Sequence, residues 1–211
     1  VLDLLFPPKC VFCGKVLDSG ESGFCRRCQR ELPWLTDGEA ELTGEFFSLC
    51  AAPLRYQAKV RDSIHRYKFK GRRGYHKVYG KLVAQCVHDH LDGRYDLITW
   101  VPLSDRRKRE RGYDQAFLLA SAAALELGDV AVETLRKERN TDPQSGITED
   151  AQRRANVLGA YTPVDPELVA GKRVLLIDDV VTTGSTLSEC ARTLRTMGAE
   201  DVVCAALARA R

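Results

Sequence analysis

The chain has 211 residues, of which 44% are hydrophobic and 29% are charged, and its formal net charge is +3. This composition is typical of a soluble globular protein, and no apolar run is long enough for a membrane span. The start of the chain, residues 1–8, lacks the pattern of a signal peptide, so we expect a cytoplasmic protein without membrane insertion.

Two Cys-x-x-Cys pairs open the chain, Cys10 with Cys13 and Cys25 with Cys28. Two such pairs can arrange four thiolates tetrahedrally around one Zn²⁺. A module of about 30 residues cannot bury enough surface to fold alone, and a structural metal would supply the missing free energy. We therefore predict a zinc ribbon over residues 1–33. Two disulfides or a redox pair are the alternatives, and the expected cytoplasmic location argues against disulfides.

The rest of the chain alternates between strand-like and helix-like segments. Residues 34–54 have the pattern of a connector, and residues 55–211 the pattern of one α/β domain. Apolar runs predict strands at 97–101, 130–135, 173–177 and 202–207, and we predict helices at 115–127, 148–156 and 185–197. This alternation indicates βαβ units, so the predicted fold is a Rossmann-like parallel sheet flanked by helices, with the ribbon before it.

Positive charge is concentrated in the middle of the chain. Residues 55–113 carry 16 basic and 6 acidic side chains, or +10, whereas residues 1–54 carry −3 and residues 114–211 carry −4. Such a block predicts an anionic partner, which is phosphate, pyrophosphate or nucleic acid. A solvated basic face is the alternative.

Aromatic and cationic residues alternate in the segment 67–77. This pattern suits stacking and phosphate contact with single-stranded nucleic acid. The candidate contacts are Lys68, Lys70, Arg72 and Arg73. The alternative is the end of an amphipathic helix followed by a basic turn.

A basic turn follows the strand predicted at 97–101, and it contains Arg106 and Arg107. The end of a parallel strand lies on the ligand side of an open α/β sheet, and arginine donors suit phosphate oxygens. The turn is therefore a candidate diphosphate site. A basic surface turn that contacts nucleic acid is the alternative.

The segment 174–186 has four apolar residues, then Asp178 and Asp179, then a turn with hydroxyl groups and Gly184 that opens a helix. The helix N-terminus and the glycine suit a phosphate, because backbone N–H groups can approach it closely. The two carboxylates repel a phosphate, so they must face hydroxyl groups or a metal. A sugar phosphate satisfies both halves of the segment.

All thirteen positions of this segment resemble the PRPP-binding signature of type I phosphoribosyltransferases. The resemblance implies that Asp178 and Asp179 contact the ribose hydroxyls, directly or beside Mg²⁺. From the chemistry of the basic turn we expect Arg106, Arg107 and Arg111 to lie nearest the diphosphate or its Mg²⁺ shell. We assign the catalytic role to Asp178, Asp179, Arg106 and Arg107. The residues that the resemblance assigns to the 5′-phosphate are Val181, Thr182, Thr183, Gly184, Ser185 and Thr186.

The polar segment 134–146 is predicted to be a loop. Type I phosphoribosyltransferases close a mobile loop over PRPP, and this segment lies in the right order along the chain. The resemblance implies that Arg136 and Lys137 reach the diphosphate. A plain surface connection is the alternative.

Nearly the whole chain resembles the ComF family of competence proteins. The matching features are the cysteine pairs, segments 67–71, 101–103, 109–115, 139–144 and 153–157, and the PRPP signature. One departure is Asp114, where the family pattern has asparagine, and it adds a negative charge beside the basic turn.

The resemblance implies a role in natural transformation and in the uptake of single-stranded DNA. Two functions stay open: Mg²⁺-dependent pentosyl transfer from PRPP, or PRPP sensing by an adaptor that binds single-stranded DNA and proteins of the competence machinery. Homo-oligomerisation is also left open.

Overall fold

The computed structural model describes residues 7–139 and 157–210. The strands, in chain order, are β1 (Glu41–Leu42), β2 (Leu49–Ala51), β3 (Leu54–Arg55), β4 (Leu97–Trp100), β5 (Leu135–Lys137), β6 (Tyr161–Pro163), β7 (Arg173–Val181) and β8 (Asp201–Arg209). The α-helices are α1 (Arg26–Glu31), α2 (Ala58–Phe69), α3 (His76–Leu91), α4 (Asp105–Arg111), α5 (Gln115–Glu126), α6 (Pro166–Val169) and α7 (Ser185–Thr196).

Six of these strands form one sheet in the order β1-β2-β8-β7-β4, and β3 pairs with β8 beyond the end of β2. The pairs are parallel, except that β1 runs antiparallel to β2. Strands β5 and β6 form a separate antiparallel pair. The predicted α/β fold with a mostly parallel sheet is therefore confirmed.

Helices cover both faces of the sheet, which explains why β7 is an uninterrupted apolar run up to Ile177. Because side chains alternate along a strand, Leu175 and Ile177 pack into the core beneath α3 and α5, whereas Val174 and Leu176 pack beneath α7. The same alternation continues beyond Ile177 and decides which way the functional side chains point. Within the described residues, no helix combines the length and apolar character needed to cross a bilayer.

Most of the predicted elements are confirmed, with ends that shift by a few residues. The strand predicted at 173–177 continues to Val181, because its pairing with β8 runs on to Arg209. The strand predicted at 130–135 is wrong: only Ala131 forms an isolated bridge, to Ile98, and β5 begins at Leu135. The helix predicted at 148–156 lies outside the described residues.

The basic turn predicted after β4 is a helix instead. Residues 105–111 form α4, which is rich in arginine and lysine, and these residues have good helix propensity. Gly112 ends the helix at φ 73°, and its N–H donates to the carbonyl of Lys108. The polar loop predicted at 134–146 begins as a strand, since Arg136 and Lys137 belong to β5.

The segment 34–54, which the sequence suggested as a connector, contains β1 and β2 and the first residue of β3. Cys50 of β2 lies opposite Cys204 of β8, so this segment extends the parallel sheet at one edge. The domain boundaries themselves stay a prediction.

The cysteine module packs against α2 and α3. The Phe12 ring lies 6.1 Å from the ring of Tyr79 on α3, and Phe12 is buried in the same core as both helices. From α2, the guanidinium of Arg66 donates to the carbonyls of Val11 and Phe12 at 3.0 and 2.7 Å, and Ser63 donates to that of Val11. The module is thus fixed to the helix that also reaches the carboxyl ends of the strands.

Candidate functional site

The two adjacent carboxylates of β7 point to opposite sides of the sheet, as the alternation of side chains along a strand requires. Asp179 is 3% exposed and lies on the side of α2 and α5. Asp178 lies on the side of β5 and α7, where its charge acts on Lys137 and on Cys190. The sequence pattern suggested one acidic unit, whereas the structure places each carboxylate in its own environment.

Asp178 is an unusually weak acid in this fold. Burial, and after it the neighbouring charge of Asp179, raise the pKa of Asp178 to about 7. The positive charges of Lys68 and Lys137 oppose the rise, as does the 2.7 Å hydrogen bond that the Asp179 N–H donates to Asp178 Oδ1. The protonation state of Asp178 is therefore sensitive to what binds beside it.

Lys68 contacts Asp179 directly. Its Nζ lies 2.7 Å from Asp179 Oδ1, and the two side chains are 20% and 5% exposed. The sequence pattern grouped Lys68 with Lys70, Arg72 and Arg73 as nucleic-acid contacts. Those three residues are exposed beyond the end of α2, whereas Lys68 lies at the acidic pair. The role predicted for all four stays a prediction.

The turn between β7 and α7 allows a ligand to approach its backbone closely. Gly184 has φ 78° and is the N-cap of α7, so the first-turn N–H groups of this helix point out of its N-terminus. The hydroxyls of Thr183 and Ser185 are hydrogen-bonded to each other at 2.7 Å. Phe47 packs beside the turn, with its Cζ 3.5 Å from where a Cβ on Gly184 would lie. This geometry suits a phosphate held through backbone N–H groups.

Lys137 is buried on the Asp178 side of the sheet. Its Nζ donates a 3.2 Å hydrogen bond to the hydroxyl of Tyr161. Burial, together with the charge of Arg107, lowers the pKa of Lys137 to about 8, which places Arg107 near the same site. Arg136, the preceding residue of β5, points the opposite way and is exposed.

Arg106 and Arg107 were predicted to act together, but their side chains lie on different sides of α4. Arg106 lies on the exposed side of α4, with its side chain 54% exposed and its Nε 3.7 Å from Glu110 Oε1. Arg107 is partly buried, and burial lowers its pKa. Of the two, only Arg107 lies close enough to Lys137 and Tyr161 to act on their pKa values.

Buried polar atoms without a hydrogen-bond partner concentrate near the carboxyl ends of β4 and β7. Such atoms are rare in folded proteins, and each of them is left able to form a hydrogen bond with water, an ion or a ligand. Within the described residues they are Trp100 Nε1, Ser104 Oγ, Arg111 Nη1, Tyr113 OH, Gln115 Oε1 and Asp179 Oδ2. Five of the six come from residues 100–115, and the sixth belongs to the acidic pair.

Asp114, the departure from the family pattern, has a local structural role. As the N-cap of α5, its Oδ1 accepts hydrogen bonds from the N–H groups of Ala116 and Phe117 at 3.1 Å. Its Oδ2 accepts from the N–H of Leu103 at 3.3 Å and lies 3.7 Å from Lys108 Nζ. An aspartate directly before an alanine-rich helix is a recognisable capping signal, so this role could have been predicted from the sequence.

The four cysteines of the N-terminal module form one cluster. The sulfur atoms of Cys10, Cys13, Cys25 and Cys28 all lie within 4.8 Å of one another, and those of Cys13 and Cys25 are 3.7 Å apart. Sulfurs at the corners of a tetrahedron with Zn–S bonds of about 2.3 Å lie about 3.8 Å apart. Backbone N–H groups of Cys13 and Cys28 point at the sulfurs of Cys10 and Cys25, at 3.5 and 3.4 Å. The donor set therefore fits a structural zinc ion.

Comparison with known proteins gives two family matches and several relatives. Residues 114–211 match the model of the phosphoribosyl transferase domain, and residues 1–58 match that of the double zinc ribbon domain. Competence protein F of Haemophilus influenzae is 29% identical, over 96% of this chain and 97% of that protein. Competence protein ComFC of Streptococcus pneumoniae is 27% identical, over 93% and 80%. DNA utilization protein YhgH of Salmonella typhi is 36% identical, over 66% and 62%.

Residues 114–211 thus match a phosphoribosyl transferase domain, and they follow an N-terminal segment that matches a double zinc ribbon and holds the four-cysteine cluster. More specifically, the chain is a homologue of competence proteins F and ComFC along most of its length, so the resemblance to ComF-type proteins is confirmed. The cluster of the Cys10–Cys13 and Cys25–Cys28 pairs, within a segment that matches a double zinc ribbon, supports a structural zinc ion.

Proposed function

We propose that this chain binds PRPP together with Mg²⁺ at the carboxyl end of β7 and acts, like its competence-protein relatives, in the handling of DNA during natural transformation. The observation that carries the first part is the convergence of three features. Two carboxylates, a helix N-terminus opened by Gly184, and the cations Lys137 and Arg107 meet at one edge of the sheet.

Each part of a phosphorylated ribose finds a matching group here. The ribose hydroxyls donate to the carboxylates of Asp178 and Asp179, and the N–H groups of the first turn of α7 donate to the 5′-phosphate. Lys137 and Arg107 supply positive charge on the Asp178 side, which suits the negative charge of a diphosphate. When bound, Mg²⁺ neutralises the oxygens of that diphosphate.

Calorimetric titration of PRPP with Mg²⁺ tests this proposal. We expect the wild type to bind and the double variant Asp178→Asn/Asp179→Asn to lose most of that affinity. The variant Asp62→Asn/Asp92→Asn removes the same charge at exposed positions and should bind like the wild type. Absence of binding by the wild type would refute the proposal.

Release of pyrophosphate distinguishes transfer from sensing. We expect the protein to hold PRPP without turnover until an acceptor nucleophile is supplied, because transfer needs both reactants in one site. A screen of nucleobases, amines and ammonia for acceptor-dependent pyrophosphate release would identify a transferase. Release without any acceptor would identify a hydrolase instead.

A second candidate function, binding of single-stranded DNA, rests on the end of α2. Lys70, Arg72 and Arg73 are exposed there, and the neighbouring Phe69 exposes 55% of its surface. An exposed aromatic beside several cations suits base stacking with phosphate contact. A zinc–thiolate site also favours a reducing compartment, so we place this function, with competence-machinery proteins as partners, in the cytoplasm.

Fluorescence anisotropy with a labelled oligonucleotide, measured over a range of salt, tests the second function. We expect the affinity to fall steeply with salt, and Lys70→Ala/Arg72→Ala to reduce the slope by about 1 to 2. Lys81→Ala/Lys172→Ala removes two exposed cations elsewhere and is the matched control. An equal affinity and slope for the first variant and the wild type would exclude this surface.

A further inference from the structure

Lys68 occupies the place where a cation would be expected beside Asp179. The Nζ–Oδ1 distance is 2.7 Å, and Asp179 is 3% exposed, so this ion pair is largely shielded from water. An ammonium in that position interacts with Asp179 far more strongly than an exposed lysine would. Nothing in the PRPP signature itself requires this lysine, since Lys68 comes from a helix about 110 residues earlier in the chain.

The contact is held in place by the two residues of α2 that precede Lys68. Tyr67 is buried, and its hydroxyl donates to the carbonyl of Gln115 at 2.8 Å. Arg66 is hydrogen-bonded to the cysteine module through the carbonyls of Val11 and Phe12. Lys68 is therefore presented to Asp179 by a fixed helix, which distinguishes it from a flexible surface lysine that pairs by chance.

The second oxygen of Asp179 has different surroundings. Oδ2 is buried and has no hydrogen-bond partner among the described residues. A buried acceptor of this kind needs a donor, and a sugar hydroxyl provides one. A divalent cation at the same oxygen would lie within a few ångströms of the Lys68 ammonium, and like charges repel strongly at that distance.

We propose that Lys68 is a built-in counter-ion that keeps divalent cations off Asp179, so that this carboxylate takes a ribose hydroxyl directly. The inference rests on the proposed function, because it names the part of the phosphosugar that Asp179 recognises. It places no Mg²⁺ on the Asp179 carboxylate, so the need for the ion comes from the diphosphate. Recognition of ribose 5-phosphate, which lacks the diphosphate, is then independent of Mg²⁺.

Titration with Mn²⁺, followed by the electron paramagnetic resonance signal of the unbound ion, tests the counter-ion role on the zinc-loaded protein. Chelators are left out, so that the zinc stays bound. We expect Lys68→Met to bind Mn²⁺ at least about tenfold more tightly than the wild type, and Lys68→Arg to behave like the wild type. Lys81→Met, which breaks an exposed pair with Glu126, should also match the wild type.

The double variant Lys68→Met/Asp179→Asn locates the ion. We expect it to lose the Mn²⁺ affinity that Lys68→Met gains, because the carboxylate that would hold the ion is gone. It also removes both partners of the buried pair and so avoids leaving one charge alone. Equal Mn²⁺ affinity of Lys68→Met and the wild type would overturn the proposal, as would a gain that survives in the double variant.

Calorimetry with ribose 5-phosphate and PRPP separates this inference from the proposed function. We expect the wild type to bind ribose 5-phosphate equally with and without Mg²⁺, and to bind PRPP more tightly with Mg²⁺. Mg²⁺-dependent binding of ribose 5-phosphate by the wild type would overturn the inference and leave the PRPP site standing. Absence of binding for both ligands would refute the PRPP site, while the Mn²⁺ titration still decides whether Lys68 excludes the ion.

Discussion

The cysteine module and the site at the carboxyl ends of β4 and β7, called the sheet-edge site below, differ in how far apart along the chain their residues lie. The module draws its four ligands from 19 consecutive residues, 10 to 28, and they converge within 4.8 Å. The sheet-edge site draws Lys68, Arg107, Lys137 and the acidic pair from segments spread over more than half of the chain. The first arrangement can be brought together by one metal ion, whereas the second depends on the whole fold. The two are joined by α2, which contacts both.

We expect the largest effect from the loss of one cysteine ligand, because only the cysteine module is expected to need a metal to fold. Cys28→Ser removes one of the four ligands, and we expect loss of bound zinc and unfolding of the module, because structural zinc supplies about 10 kcal/mol or more to such modules. Elemental analysis and thermal denaturation measure both. Cys86→Ala, a buried cysteine outside the cluster, should keep about one zinc per chain. Full zinc content in Cys28→Ser would show that the cluster is not the metal site.

Substitution of Phe12 tests the contact between the cysteine module and α3. Its buried ring packs between Phe24 and Tyr79, so Phe12→Ala should lower the free energy of unfolding by about 3 to 5 kcal/mol. Phe117→Ala, at a 40% exposed position, should have a smaller effect. Denaturant unfolding compares the two. Similar losses for both variants would mean that the module is only loosely docked.

The buried acid of the sheet-edge site predicts a pH dependence that the module lacks. The pKa of Asp178 is raised from 3.8 to about 7, so the folded state binds more protons than the unfolded state between those values. Stability from this group therefore falls as pH rises from about 4 to about 7. Asp178→Asn removes the fall, and we expect it to stabilise the protein by roughly 1 to 3 kcal/mol above pH 7 and not at all below pH 4.

Thermal denaturation of wild type and Asp178→Asn across this range measures the difference. The pKa of Lys137 is lowered to about 8 from an ordinary value of 10.5, so its own contribution changes only above this window. A constant difference between the two proteins from pH 4 to pH 8 would contradict the assignment of the titration to Asp178.

The smallest effects are expected from substitution of two glycines that have nearly the same φ angle. Gly14 in the cysteine module has φ 76° and open space around it, whereas Gly184 has φ 78° and Phe47 beside it. Alanine at either position should cost about 1 kcal/mol of stability, because the backbone lies in the left-handed region. Only Gly184→Ala should also weaken PRPP binding, which calorimetry measures. Equal PRPP affinity in both variants would show that the turn does not hold the phosphate.

Much of the architecture could be predicted because its signals are local. The cysteine spacing, the apolar run of β7 and the glycine before α7 each lie within a short segment, and local geometry determines what they can form. The errors arose where tertiary context overrides local pattern. Residues 130–135 look like a strand but run past the sheet edge with a single bridge at Ala131. The charged segment after β4 forms the helix α4, which ends at Gly112.

By itself, the sequence determined the class of fold, the pairing of the four clustered cysteines and the position of the acidic pair before the glycine-containing turn. Only the tertiary structure decided that Asp178 and Asp179 face opposite sides of the sheet, and that Lys68 pairs with Asp179 and Lys137 lies on the Asp178 side. The reason is physical: ligands within one turn are brought together by local geometry, whereas a lysine about 110 residues away reaches a carboxylate only through the packing of helices on a sheet.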